Sequence, residues 1–306
     1  MKFLALLVAL LVEQVRPLRG RNLLYQSYER YAASLEEHFN GGQYRHGVIA
    51  WLLAAGPPLV VTLAVSYALL RTSPLLAWAW NVLVLYVTMG FRRFSHFFTD
   101  ILRASSNEDL ATARRLLGEW RGESAADFSP TEIARVAIEE GLMASHRQVF
   151  GSIAWFVILG PAGAVLYRAS EMLARKWSAP PGAESAEFSG FSARFFLVID
   201  WVPARLTALT FAVVGNFEDA IYCWRSQALA WSARTQGVIL AAGAGALGVR
   251  LGDAIHEYGS LRFRPELGTG NDADADAMEG TVRLVWRSLV LWMFLVFIVS
   301  LAHALG

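Results

Sequence analysis

The sequence predicts an all-α polytopic membrane protein of about five to six transmembrane helices with cytoplasmic helical segments, the whole of 1–306 forming one membrane domain. Three observations predict it. Hydrophobic residues make up 55% of the chain and charged residues only 17%, far from the balance of a soluble domain. The apolar residues are bunched into runs of bilayer-spanning length. The polar stretches between those runs carry helical spacing, and nothing alternates like a parallel sheet.

In chain order, Phe3 to Val12 is an apolar stretch behind Lys2. Glu13-Gln14-Val15-Arg16-Pro17 follows it where a small-residue cleavage site would stand, so a short first helix over 3–15 is expected rather than a cleaved signal. Asn22 to His46 reads as an amphipathic helix, with Tyr28, Tyr31, Leu35 and Phe39 near helical spacing and a stop at Asn40-Gly41-Gly42. Spans are expected over 47–70, where Gly56-Pro57-Pro58 should kink the helix, over 75–90, over 149–168, over 195–215 and over 285–305. The polar insert 92–148 should be helical, with starts at Asn107 and at Ser129-Pro130-Thr131-Glu132. Ala179 to Gly190 reads as a loop, and Asn216 to Arg234 as helix. Eight arginines lie between Arg92 and Arg147 and six between Arg225 and Arg283. The positive-inside rule therefore puts both segments in the cytoplasm and the proline loop outside.

The run Phe195 to Gly215 holds the costliest residues. Asp200 and Arg205 are charges inside a spanning helix, each disfavoured by roughly 2.5–3.5 kcal/mol on insertion scales. Pro203 lacks an N–H and frees the carbonyl of Ile199, which must find a partner within the protein. Asp200 and Arg205 should face protein or water, paired with each other or with other helices. A structural ion pair locking a bent helix and a functional site both remain open.

Other constellations are weaker. Gly243-Ala244-Gly245-Ala246-Leu247-Gly248 fits the dinucleotide-binding fingerprint but lacks a preceding strand. Gly248 with Gly252 has the spacing of close helix contacts. Arg250 there could bind an anion or pair with Asp253. Asp272-Ala273-Asp274-Ala275-Asp276 begins like a calcium loop but has Ala277 where glycine is needed and Arg283 where glutamate is needed. The histidines show no metal spacing, and His96 and His146 read as hydrogen-bonded structural residues. Cys223, the lone cysteine, excludes an intrachain disulfide and a cysteine zinc site. A net charge of +1 gives no case for nucleic acid.

Asp200-Trp201-Val202-Pro203-Ala204-Arg205-Leu206 resembles a segment of the CobD/CbiB family, membrane proteins of cobalamin biosynthesis, shared by the diverged AmpE-like branch. Ala244 to Gly252, followed by Tyr258-Gly259, resembles a second. The resemblance implies an ATP-assisted amide ligation joining aminopropanol phosphate to a corrinoid acid, with ATP and magnesium as cofactors. The family's Glu-Asn-x-x-Asp-Gly before the third span is not kept: Glu140 can be matched, but Gly141 to Arg147 supplies neither the asparagine nor the aspartate. The resemblance therefore implies a diverged inner-membrane protein that binds or senses a ligand, with an adenosylcobinamide-phosphate synthase as the alternative. Candidate functional residues are Asp200, Trp201, Pro203, Arg205, Glu140, Arg147, Gly245, Gly248, Arg250, Gly252 and Tyr258, with no metal ligands. The implied partners are the lipid bilayer, a corrinoid or other anionic small molecule, and a membrane partner protein.

Overall fold

Proline and glycine set most helix boundaries. A computed structural model describes residues 2–16, 23–178, 185–257 and 260–305; Tyr258-Gly259 and 179–184 of the expected proline loop lie outside them, and 186–190 of that loop belong instead to the helix Ala186–Val214. Pro74, Pro130 and Pro161 each open a helix at its first turn, where the missing N–H costs nothing. The chain divides into two compact units, 1–90 with 147–203 and 296–306, and 91–146 with 204–295.

The first unit contains α1 (Lys2–Val15), α2 (Leu23–Phe39), α3 (Tyr44–Thr72), α4 (Pro74–Thr88), α8 (Gly151–Leu159) and α9 (Pro161–Lys176). Its core forms where α2, α3 and α9 meet around Leu35, Trp51, Leu173 and Trp177. Trp177 Nε1 donates to the Ala32 carbonyl at 3.1 Å, so the buried indole stays satisfied. α2 ends at Phe39, before the Asn40-Gly41-Gly42 stop. α3 runs unbroken through Pro57 and Pro58.

The second unit contains α5 (Phe91–Ser106), α6 (Leu110–Arg121), α7 (Pro130–Ser145), α11 (Phe217–Gln227) and α12 (Arg234–Leu247). The Ser129 side chain accepts from Glu132 N, and Glu132 returns the bond to Ser129 N at 2.7 Å, a reciprocal cap. The start expected at Asn107 falls two residues later: Asp109 caps α6 by accepting from Thr112 N at 3.1 Å, and Glu108 takes a left-handed φ of 59°. Asn216 caps α11, which stops at Gln227, so Trp231 lies outside it.

After α12 the chain turns to strand, which its short apolar runs did not signal. β1 (Val249–Gly252) pairs antiparallel with β4 (Glu266–Leu267) and parallel with β5 (Asn271–Asp272), while β2 (Ile255–Glu257) and β3 (Ser260–Arg262) form a hairpin. The protein is thus all-α with a small sheet. α10 (Ala186–Val214) and α13 (Ala275–Leu305) complete it.

Among the described residues, four helices are long and apolar enough to cross a membrane: Tyr44–Thr72, Pro130–Leu159, Ala186–Val214 and Ala275–Ala302. The span expected over 149–168 is redrawn. α7, a π turn at His146–Phe150 and α8 form one helix from Pro130 to Leu159. Gly160, at φ 69°, then breaks it before Pro161. The polar insert therefore ends near Ser129 and not at Gln148. α4, with 15 residues, is apolar but shorter.

Candidate functional site

In the second unit, α7 turns one charged face toward the strands. Glu132, Arg135 and Glu139 are three and four residues apart, so they share that face, and each is about nineteen-twentieths buried. Apart from the Ser129 cap of Glu132, their partners come from the turns and strands after α12. Glu139 takes Arg264 Nη1 at 2.6 Å and Nη2 at 3.2 Å, and accepts from Gly252 N at 2.8 Å. Arg264 also donates to the Gly252 and Asp253 carbonyls and lies over the Trp231 ring. Arg135 Nη1 donates to the Gly252 and Ala254 carbonyls, both at 3.2 Å, and pairs with Asp253 at 3.3 Å. Glu132 accepts from His256 N at 2.8 Å.

At the edge of this cluster, Arg121 and Arg262 hold Glu257 at 2.8 and 3.2 Å. Burial disfavours the Glu257 carboxylate, but hydrogen bonds from the two arginines outweigh it and hold the carboxyl below its ordinary range.

Glycine lets the strand come this close. Gly252 has φ 72°, and a Cβ there would collide with the Pro265 carbonyl oxygen. Gly248, at φ 68°, ends α12. A Cβ at Gly245 would meet the Asp219 backbone, so α11 and α12 pack backbone to backbone.

In the first unit, Asp200 is 1% exposed and its Oδ1 accepts from the Tyr167 hydroxyl at 2.8 Å. The Ile199 carbonyl that Pro203 leaves without an intrahelical donor accepts from Trp155 Nε1 at 3.0 Å. The predicted orphan thus has its partner. Next to Tyr167 on α9, Arg168 and Glu171 form a buried ion pair at 3.0 Å.

The model of the CobD/CbiB protein family matches residues 3–285. The chain belongs to the CobD/CbiB family. It is 36% identical over 300 residues to "Cobalamin biosynthesis protein CobD" of Stutzerimonas stutzeri, covering 95% of each chain. It is 35% identical over 240 residues to the protein of the same name from Chromobacterium violaceum, covering 78% of this chain and 75% of the relative. It is 26% identical over 253 residues to "Cobalamin biosynthesis protein CbiB" of Salmonella typhimurium, covering 78% and 77%. No solved structure matches.

Both segments that carried the family resemblance are thus placed in the fold. The first lies within α10, where Asp200 and Pro203 are buried, Arg205 is partly buried and Trp201 is exposed. The second lies at the α12–β1 junction. Its glycines bring helix before strand, the reverse of a dinucleotide site. Gly248 and Gly252 are not a helix-packing pair, because one caps a helix and the other lies in a strand. Arg250 pairs with Asp272 at 2.9 Å, the strand register having placed those two opposite each other, while Asp253 goes to Arg135. Asp274 caps α13 by accepting from Ala277 N at 2.8 Å. His146 Nδ1 lies 2.9 Å from the Thr207 hydroxyl and His96 Nε2 accepts from Arg92 Nε at 3.1 Å, as hydrogen-bonded structural histidines should.

The family-matched Glu140 is only partly buried, and the carboxylate that holds β1 is its neighbour Glu139. Arg147 sits in the π turn with its Nε buried and without a hydrogen-bond partner. Tyr258 lies outside the described residues. Sequence reasoning missed Glu132, Arg135, Glu139 and Arg264. The first three were visible as charges at helical spacing in the otherwise apolar Glu132-Ile133-Ala134-Arg135-Val136-Ala137-Ile138-Glu139.

Proposed function

We propose that this CobD/CbiB-family protein is a multi-pass inner-membrane protein that binds or senses a corrinoid or other anionic small molecule, and does not ligate amides. The observation that carries this reading is the state of the carboxylates on α7. Glu132 and Glu139 are committed to His256, Arg264 and the backbone of β1 and β2, so they serve as a clamp. An ATP-dependent ligation needs carboxylates left over to hold a metal among phosphates. The aspartate of the family's acidic segment after Glu140 is absent from Gly141 to Arg147, which leaves one carboxylate fewer for such a metal. Arg147, charged and only partly buried, is the contact we assign to an anionic group. The arginine bias supports a cytoplasmic side for 92–129 and for 216–274.

The test is direct. Purified protein given ATP, magnesium, corrinoid acid and aminopropanol phosphate should form no amide, while corrinoid binding should appear as a shift in the corrin absorption spectrum. Rescue of a strain lacking its cobinamide synthase would overturn the non-catalytic reading.

A working synthase is the second reading, favoured by the identity shared with the Stutzerimonas relative along 95% of both chains. The same complementation decides between the two.

A further inference from the structure

Two of the long helices carry a break in their backbone ladder. The helix from Pro130 to Leu159 passes from α to π winding at His146–Phe150, so its bonds there reach five residues back in place of four. α10 contains Pro203, which brings no N–H to the ladder. Prolines and π turns are among the few places where long helices kink.

Two hydrogen bonds tie these helices to each other. His146 Nδ1 lies 2.9 Å from the Thr207 hydroxyl, and Trp155 Nε1 donates to the Ile199 carbonyl at 3.0 Å. The numbering rises from 146 to 155 along one helix and falls from 207 to 199 along the other, so the two run antiparallel. Nine residues of one helix and eight of the other separate the bonds, about 12–13 Å of rise in each. The π turn and Pro203 both fall within that interval. Each half of the pair is therefore stapled across, while the backbone between the staples lacks its regular ladder in both helices. The carbonyl that Pro203 releases is even held by the other helix, through Trp155, and not by its own backbone.

We infer that the two helices share one hinge between the His146–Thr207 and Trp155–Ile199 bonds. The segments before the π turn and after Pro203 move as one stapled pair, those after the π turn and before Pro203 move as another, and both backbones bend together between them. The hinge carries Arg147. It stands whether or not an anion binds there, and it shares no residue with the α7 clamp.

The full chain in phosphatidylcholine nanodiscs is followed by amide hydrogen exchange, with fragmentation to single residues read by mass spectrometry. Amides at 147–151 and 200–206 should exchange faster than those at 135–142 and 208–212. Pro203→Ala restores an N–H to α10. It should slow exchange at 200–206 and, across the pair, at 147–151, each about fivefold, the worth of one net backbone hydrogen bond. Trp155→Phe removes the bond to Ile199 and should speed exchange about fivefold at the same two stretches. The variants act in opposite directions on opposite helices, so either one decides if the other fails to fold. Exchange in α3 should stay unchanged in both. An effect of Pro203→Ala confined to α10, or of Trp155→Phe confined to its own helix, would overturn the shared hinge. A change of equal size throughout α3 would overturn it as well, since the variants would then act on global stability alone.

Discussion

Replacing Glu139 by glutamine should destabilise the second unit by about 2–3 kcal/mol, the worth of a hydrogen bond between charged groups. Glu139 carries a two-pronged bond from Arg264, at 2.6 and 3.2 Å, and one from Gly252 N at 2.8 Å. Glutamine keeps an oxygen for Gly252 N but loses the negative charge facing the guanidinium. Stranding a fully buried charge costs about 3–5 kcal/mol. The smaller figure applies here because the Arg264 side chain is 14% exposed and keeps two carbonyl partners and the Trp231 ring. Arg264→Met should cost a similar amount, since it leaves the Glu139 carboxylate without its cation. The double variant should be milder than the sum by more than about 0.5 kcal/mol, the scatter of independent sites. The measurement is reversible unfolding in mixed detergent micelles, followed by tryptophan fluorescence. Simple addition of the two effects would refute the clamp.

Four further outcomes follow from the geometry. Trp155→Phe should cost about 1–3 kcal/mol by leaving the Ile199 carbonyl unpaired, and most of that cost should vanish in a Pro203→Ala background, where residue 203 regains its own N–H. An undiminished cost there would show that the indole acts by packing alone. Tyr167→Phe and Asp200→Ala should be non-additive in the same unfolding assay, because each removes the 2.8 Å bond between them. Ser129→Ala should lower stability by about 0.5–2 kcal/mol through loss of the cap; a neutral result would mean that α7 is fixed by its packing. Glu257 has a folded pKa held below the ordinary carboxylate range by Arg121 and Arg262, against its burial. Its contribution is therefore fully present above the unfolded value of about 4.3 and is lost as pH falls through the depressed folded value. Acid titration of stability should be shallower in Glu257→Gln, and an identical slope would contradict the linkage.

Elements whose signals are local could be read from the residues alone. Long apolar runs marked α3, α10 and α13, Ser129-Pro130 marked the start of α7, and Asn40-Gly41-Gly42 marked the end of α2. Pro203 announced an unpaired carbonyl four residues back without naming the indole that would reach it. The residues alone also held the family segments around Asp200 and Gly245. Only the tertiary structure decided the rest. Gly160 parted 149–168 into two helices, and the π turn at His146–Phe150 joined the first part to α7. The runs around β1 were too short to carry a period, and β1 is held to α7 by Arg135 and Glu139 at the Gly252 backbone. Which cation meets which anion was likewise decided by the fold. Arg250 faces Asp272 because the β1–β5 register sets them opposite each other, and Asp253 is drawn to Arg135 from 118 positions away in the sequence. Charge pairing is a property of through-space distance, and sequence spacing fixes that distance only within a single helix or strand.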